Sequence, residues 1–285
     1  MIEMIAITFD VDYTDYFTSN YSRDEMEEIW PFFTELCKQY EQLKTTWFIR
    51  IDEQIESIYG LPDFIFKRHQ DKINWLLENG HEVGWHFHSY VKINQKWIQN
   101  TNDLNVSEEM IRVFPYVKKY DLSICRMGWT YHTNRTMKTL FDLGIKYDFS
   151  AFPRPKYSWD LIARDWVNTP ENKYKPSIYD YRKEGEINLG IEVYPITTIK
   201  LPLKSDTEPN VVRYLNPAYK EVYFEHGLRN YQKRILNTVT HPYEVLPSLN
   251  NSEILAFSSD TFNANIKLVI ESGIKPITAT ELFKI

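Results

Sequence analysis

Segments with strand character and segments with helix character alternate along most of this chain of 285 residues. Short runs rich in β-branched and aromatic residues are followed by longer amphipathic stretches, several of which end at a glycine such as Gly80, Gly144 or Gly273. Strand–helix units of this kind build parallel sheets, because a parallel strand pair needs a long crossover connection that a helix supplies. The pattern therefore predicts an α/β fold with a parallel sheet, and it favours a barrel over an open sheet.

The predicted elements cover most of the chain. The predicted strands are 5–9, 45–49, 81–88, 122–126, 145–149, 235–241 and 274–278, and the predicted helices are 24–40, 61–79, 106–120, 134–143 and 262–272. The stretch at about 153–225 breaks the alternation with Pro, Tyr and Asn, and we interpret it as long loops or a hairpin insertion that covers one end. Because the chain has no internal repeat, low-complexity tract or polar linker, we expect a single domain over residues 1–285.

Composition excludes several classes of protein. No stretch approaches the roughly 18 consecutive apolar residues that a membrane span needs. The start, Met1 to Met4, has no basic region, no long apolar run and no cleavage site, so we expect a cytoplasmic protein. The two cysteines cannot build a disulfide framework, and the formal net charge of −6 argues against a partner made of nucleic acid.

Two strands place chemically active side chains on one face. Side chains alternate between the faces of a strand, so Thr8, Asp10 and Asp12 share one side of the first strand. In the same way His86 and His88 share one side of the third strand, about 7 Å apart at the backbone. Two imidazoles and a carboxylate are a common ligand set for catalytic zinc and for non-haem iron.

Three further polar residues fall at predicted strand ends, namely Arg126, Asp148 and His241. In parallel barrels the carboxyl ends of the strands carry the chemistry, so we expect these residues to meet the carboxylates and imidazoles of the first and third strands. A metal-containing active site at this end of the sheet is therefore the leading hypothesis.

Five short motifs, in order from residue 8 to residue 241, resemble those of the polysaccharide deacetylase (NodB-homology) family. TFDVD at 8–12 is similar to the first motif of that family, and GHEVGWH at 80–86 resembles the approach to the second. The weaker matches are Arg126 with Gly128 and Trp129, YDFS at 147–150, and Thr240-His241-Pro242. The resemblance implies a distorted parallel (β/α) barrel of about seven strands, a divalent metal that is often zinc, and hydrolysis of an acetyl group on a sugar.

The resemblance also implies roles for individual residues. Asp10 matches the general base, Asp12 the metal carboxylate and His86 the first metal imidazole. Arg126 matches the residue that orients Asp10, with Asp148 behind it. His241 matches the general acid that protonates the leaving amine.

The match departs from the family at the second metal histidine, which normally lies four residues after the first. Tyr90 occupies that position here, and His88 is the obvious substitute. Trp129, Tyr131 and Tyr90 are the candidates for contact with the sugar, because aromatic rings stack on the apolar faces of sugars. An N-acetylated precursor of a surface glycan is the expected substrate, since such a precursor is available in the cytoplasm.

Three other functions stay open on the sequence. The chain could be a catalytically inactive relative that binds a glycan, because the metal motif is incomplete at Tyr90. It could be a related C–N hydrolase that acts on an amide other than a sugar. A third interpretation treats Asp10-Val11-Asp12 as the D-x-D motif of a metal-dependent glycosyltransferase; that interpretation predicts a nucleotide-binding open sheet and gives His86 and His88 no role.

Overall fold

The computed structural model describes residues 2–13, 24–154, 164–206 and 211–285. Two parts of the predicted insertion at 153–225, residues 155–163 and 207–210, lie outside the described residues. The strands are β1 (Met4–Ala6), β2 (Thr8–Val11), β3 (Thr46–Arg50), β4 (Glu82–Phe87), β5 (Tyr90–Ile93), β6 (Lys96–Gln99), β7 (Ile124–Met127), β8 (Tyr147–Asp148), β9 (Glu192–Val193), β10 (Thr198–Lys200), β11 (Val212–Tyr214), β12 (Ile235–Asn237) and β13 (Lys275–Ile277). The helices are α1 (Glu25–Gln39), α2 (Glu53–Tyr59), α3 (Phe64–Arg68), α4 (Gln70–Glu78), α5 (Asp103–Lys119), α6 (Asn134–Asp142), α7 (Glu221–Asn230), α8 (Pro242–Val245) and α9 (Ser259–Glu271).

Parallel strands form the centre of the molecule. Among the described residues, one parallel sheet has six strands in the order β2-β3-β4-β7-β8-β9, and a second has three in the order β12-β1-β13. The chain after β12 continues beside β2, where the Asp10 N–H donates to the Thr240 carbonyl at 2.8 Å. The chain after β9 approaches β12, where the Thr197 N–H donates to the Asn237 carbonyl at 2.8 Å. The sheets therefore curl towards a barrel without forming one continuous ladder, and the predicted α/β fold with a parallel sheet is confirmed.

The alternating faces of the strands pack into two separate cores. On the outer side the Phe9 ring stacks on Trp47 with centroids 4.3 Å apart, and Phe33 of α1 meets Trp47 edge-on at 4.9 Å. On the inner side Ala6 belongs to a smaller cluster with Phe48. The alternation of side chains along each strand predicts this division. Truncation of a buried ring such as Trp47 to alanine is expected to lower the free energy of unfolding by about 3–5 kcal/mol.

Helix boundaries follow local capping residues. The predicted helix 24–40 is α1, and Asp24 is its cap and not its first helical residue, because its side chain accepts the Glu27 N–H at 3.1 Å. The predicted helix at 61–79 is instead two helices, α3 and α4, which meet at His69 with a non-helical backbone. Helix α5 begins three residues before the prediction, because the Asn102 side chain accepts the Asn105 N–H at 3.2 Å and caps it. Helix α2 was not predicted.

The described parts of 153–225 hold regular structure. Strand β9 pairs with β8 and so belongs to the main sheet, whereas β10 and β11 pair antiparallel as a hairpin and are followed by α7. Strand β9 has two residues and lies in the stretch where Pro, Tyr and Asn break the alternation, so the sequence pattern missed it. Within the described ranges, no helix combines the length and apolar character that crossing a membrane requires.

Candidate active site

The carboxyl ends of three strands of the six-stranded parallel sheet bring the predicted site residues together. Asp10 lies in β2, His86 in β4 and Arg126 in β7, and His86 is directly opposite Arg126 in the β4–β7 register. Because these strands are parallel, their carboxyl ends lie at one edge of the sheet. Asp12 and His88 follow β2 and β4 at this edge, and His241 lies at the start of α8.

Asp12, His86 and His88 direct one ligand atom each towards a common point. Asp12 Oδ1 is 3.2 Å from His86 Nε2 and 2.9 Å from His88 Nε2, and the two imidazole nitrogens are 3.0 Å apart. Ligand atoms about 2.0–2.2 Å from a tetrahedral zinc ion are roughly 3.3–3.6 Å from one another. The triangle needs to expand by only a few tenths of an ångström, so the three residues fit a divalent metal ion and leave a coordination position open.

His86 is oriented as a ligand by its second ring nitrogen. Its Nδ1 lies 2.8 Å from the carbonyl oxygen of Arg126, and a carbonyl can only accept, so the ring proton sits on Nδ1. The lone pair of Nε2 then faces Asp12 and His88. Metal-binding histidines commonly have such a partner, which fixes both the tautomer and the direction of the ring.

His88 is held by packing. Strand β4 ends at Phe87, yet the His88 ring still turns into the site, where it stacks on Tyr90 at 5.4 Å and meets Trp129 edge-on at 4.8 Å. A side chain at Gly128 would place its Cβ 2.3 Å from the His88 ring, so this position requires glycine. Burial lowers the pKa of His88 to about 4, which keeps the imidazole in the neutral form that binds metals.

Asp12 is ionised in this environment. Burial acts to raise its pKa, but the His88 and His86 imidazoles hold the pKa of this carboxyl well below its usual range. An ionised carboxylate beside two imidazoles has the charge and the donor atoms of a metal ligand.

A fully buried ion pair between Arg50 and Asp52 supports Asp12 and His88, the two metal-ligand residues that lie just beyond their strands. Sequence reasoning missed this pair. Arg50 donates to Asp52 through Nε at 2.6 Å and Nη2 at 2.8 Å, and both side chains are at most 1% exposed. Arg50 Nη1 also donates to the backbone oxygen of Asp12 at 3.0 Å, and Asp52 Oδ2 accepts the His88 N–H at 3.4 Å. An arginine that closes an apolar strand, with an aspartate two residues later, is the signal that could have revealed the pair.

A second buried ion pair joins Arg126 to Asp10. Arg126 Nη1 donates to Asp10 Oδ1 at 2.8 Å and to Thr8 Oγ1 at 2.5 Å, while its Nε donates to the Phe149 carbonyl at 3.1 Å. Two contacts with β2 and one with the residue after β8 fix the guanidinium, which in turn fixes one oxygen of Asp10. The structure thus brings together the two residues that the resemblance pairs.

Asp148 is placed differently from the expectation that it stands behind Arg126. Its Oδ1 accepts from the Ser150 hydroxyl at 2.5 Å and lies 3.2 Å from His132 Nε2, and its Oδ2 accepts the Ser150 N–H at 3.1 Å. Both oxygens are therefore used by Ser150 and His132. In the β7–β8 register Asp148 is opposite Cys125 and not Arg126, and side chains alternate between the faces of a strand. The Asp148 carboxylate therefore faces away from the Arg126 side chain, which corrects the expected placement behind it.

His241 lies close to the metal-ligand residue Asp12. Its Nε2 is 3.7 Å from Asp12 Oδ2, and its Nδ1 is 3.3 Å from Glu244 Oε2. Burial alone would lower its pKa, but the carboxylates of Glu244, Asp12 and Asp10 raise the pKa of His241 to about 10. The imidazole is consequently protonated at neutral pH.

Glu244 is a third site residue that sequence reasoning missed. It is buried, and its Oε2 accepts from the His241 N–H at 2.8 Å and from Asn216 Nδ2 at 2.8 Å. The arrangement is the capping box of α8, with His241 at the cap and Glu244 at the third helical position. The spacing His-Pro-x-Glu was the available signal.

The three aromatic residues predicted to contact the sugar differ in exposure. Tyr90 is 2% exposed, between His88 and the Arg50 guanidinium, so it supports the site and does not offer a surface to a sugar. Tyr131 is also buried, with its hydroxyl donating to the Thr101 carbonyl at 3.2 Å. Trp129 is half-buried, and its positive φ of 54° places its ring beside His88.

Solved structures share this fold. Over 98% of its length the chain is similar to a Mycobacterium smegmatis protein with a provisional assignment as a polysaccharide deacetylase, at 11% sequence identity, a TM-score of 0.52 and 88% coverage of that chain. Over 99% of its length it is similar to the 4-alpha-glucanotransferase of Thermococcus litoralis, at 14% identity and a TM-score of 0.52, although it spans 38% of that longer chain. No protein-family model and no curated protein matches the sequence.

Proposed function

We propose that this protein is a metal-dependent hydrolase that removes an acetyl group from an N-acetylated sugar, with zinc held by Asp12, His86 and His88. The observation that carries the proposal is the meeting of these three ligands with Asp10 and His241 at one edge of the sheet. Three protein ligands with an open position are typical of catalytic zinc, whereas structural zinc usually has four.

Within the proposed reaction, Asp10 is the general base. A divalent ion bound at this site would act as a Lewis acid, which polarises an acetyl carbonyl and lowers the pKa of a bound water molecule. Arg126 occupies Oδ1 of Asp10, so the carboxylate presents Oδ2 in a fixed direction as the acceptor of the proton from water. A fixed base needs little reorganisation during the reaction.

His241 is the general acid of the proposed reaction. Cleavage of the amide requires a proton on the departing nitrogen, because an unprotonated amine anion is a very poor leaving group. The Glu244 carboxylate, 3.3 Å from His241 Nδ1, keeps the imidazolium form available at neutral pH. Asp10 and His241 therefore divide proton removal and proton delivery between two residues of the site.

The fold alone does not choose this reaction, since it is also that of a glucanotransferase. The contacts of the two aspartates favour hydrolysis of an acetyl group over the D-x-D interpretation. Asp10 pairs with Arg126 and Asp12 faces His86 and His88, so the carboxylates have separate environments and do not form a D-x-D metal clamp.

For the substrate, we propose an N-acetylated sugar of a surface-glycan precursor in the cytoplasm. The resemblance of the motifs, the shared fold of the Mycobacterium smegmatis protein and the half-buried Trp129 ring beside His88 support a sugar. A ring in this position can stack on the apolar face of a pyranose while the acetyl group reaches the metal-ligand residues.

Acetate release tests the proposed reaction. Zinc-loaded protein is incubated with nucleotide-linked and free N-acetylated sugars, and acetate is measured for the wild type and for His241→Gln. We expect acetate from at least one sugar with the wild type and at least a 100-fold lower rate with His241→Gln. Zinc-loaded protein that binds these sugars without releasing acetate would overturn the proposal in favour of the inactive glycan-binding relative.

A further inference from the structure

A continuous chain of hydrogen bonds connects Asp148 with the metal-ligand residue His86. His86 Nδ1 donates to the Arg126 carbonyl at 2.8 Å, and the N–H of the same peptide group, at Met127, donates to Ser150 Oγ at 2.8 Å. The Ser150 hydroxyl then donates to Asp148 Oδ1 at 2.5 Å. Donor and acceptor roles run in one direction, from the imidazole to the carboxylate.

The chain lies entirely in the interior. His86 is 2% exposed, and the Ser150 and Asp148 side chains at the other end are fully buried. In such surroundings hydrogen bonds are electrostatically stronger than in water, and consecutive bonds polarise one another. The negative charge of Asp148 increases the negative character of Ser150 Oγ, and the peptide group transmits this effect to the Arg126 carbonyl oxygen.

The far end of the chain is also fixed. The Ser150 N–H donates to Asp148 Oδ2 at 3.1 Å, so both carboxylate oxygens contact the same residue. His132 approaches Asp148 Oδ1 at 3.2 Å through Nε2, and its Nδ1 is 3.0 Å from Thr136 Oγ1. The carboxylate cannot rotate without breaking several of these contacts, which makes it a rigid endpoint.

We propose that Asp148 and Ser150 are positioning residues for the metal site, which act on His86 through the Arg126–Met127 peptide group. By drawing electron density towards the carbonyl that holds the Nδ1 proton, the chain fixes the tautomer of His86 and makes its Nε2 a stronger metal ligand. This proposal rests on the proposed metal site, and it gives Asp148 a role in metal binding.

Zinc affinity and the state of the His86 ring test the proposal. The dissociation constant of zinc is measured by competition with a chromophoric chelator for the wild type, Ser150→Ala and Asp148→Asn. We expect each variant to bind zinc at least about 10-fold more weakly, as is typical when an outer partner of a metal-binding histidine is lost. Ser107→Ala, which removes another buried hydroxyl, serves as the matched control and should bind zinc as the wild type does.

The Nδ1 proton of His86 provides a readout that a merely structural role would not move. In ¹⁵N-edited NMR spectra of metal-free protein, we expect this proton to shift upfield in Ser150→Ala and Asp148→Asn and to stay in place in Ser107→Ala. Wild-type affinity together with an unshifted proton would overturn the inference while the metal site stands. A wild type that binds no zinc would instead overturn the proposed metal site itself.

Discussion

The site consists of two regions that are held in different ways. The strand region comprises Asp10, His86 and Arg126, whose backbones lie in the ladders of β2, β4 and β7. The rim region comprises Asp12 and His88, which follow β2 and β4, and His241, which begins α8. Ladder hydrogen bonds position the strand region, whereas side chains of other residues position the rim region.

This difference shows which parts of the site depend on the fold and which depend on particular partners. In the strand region, neighbouring strands fix each backbone whatever the side chains are. In the rim region, Arg50 and Asp52 hold the backbones of Asp12 and His88, and Glu244 holds His241. Substitutions of partner residues should therefore damage the rim region more than the strand region.

The largest expected effect separates the two aspartates. Asp10→Asn should lower the rate of acetate release by about 10²–10⁴-fold, the range typical of a lost general base, while zinc content stays at the wild-type level. Asp12→Asn should lose zinc and activity together, because the rim residue is a metal ligand. Elemental analysis alongside the rate assay checks both variants, and loss of zinc in Asp10→Asn would contradict the division between the regions.

The next effect concerns the buried ion pair beneath the rim region. Arg50→Met leaves Asp52 as an uncompensated buried charge, so we expect the free energy of unfolding of metal-free protein to fall by about 3–5 kcal/mol in urea titrations. The double variant Arg50→Met/Asp52→Asn should recover most of this loss while still binding zinc weakly. Zinc affinity equal to that of the wild type in the double variant would show that the pair does not position the ligands.

A smaller effect is expected at the glycine that accommodates His88. Gly128→Ala places a Cβ 2.3 Å from the His88 ring and should displace it, which weakens zinc binding roughly 10- to 100-fold in chelator competition. Gly60→Ala is the matched control, since at φ +84° its Cβ has no described heavy atom within 4 Å. That control should cost about 1–2 kcal/mol of stability without changing zinc affinity; an equal loss of affinity in both variants would argue against the displacement of His88.

The pair His241–Glu244 gives the smallest and most specific prediction, a dependence on pH. The pKa of His241 is raised above its ordinary 6.5 to about 10, so the stabilisation by this pair is complete below pH 6.5 and is lost as the pH rises through about 10. In metal-free protein, NMR titration of the imidazole should give this value for the wild type and a lower one for Glu244→Gln. An unchanged titration in Glu244→Gln would remove Glu244 from the rim region.

Much of the strand region could be predicted from the sequence. Alternation along a strand depends only on local geometry, and it placed Asp10 and His86 on the face where the structure has them. The same reasoning extended to Asp12 and His88, although each lies one residue beyond its strand. The α/β fold followed from the spacing of strands and helices.

The partners of the rim region could not be predicted in the same way. Arg50 meets Asp12 across 38 positions of sequence, so the contact exists only after β2 and β3 have paired. Strand β8 is two residues long, which is too short to fix the direction of Asp148 by alternation. The local sequence around Glu244 indicates only a helix cap. Its role beside His241 follows from the folded structure, in which α8 lies next to Asp12.

The most direct test of the account is the zinc content of purified protein after equilibration with zinc and dialysis. The account predicts about one zinc ion per chain in the wild type, nearly none in His88→Ala, and wild-type content in Tyr90→Phe, because His88 directs a ligand atom to the common point whereas the Tyr90 ring stacks on His88. An empty wild type, or zinc retained by His88→Ala, would contradict the central claim that Asp12, His86 and His88 form a metal site.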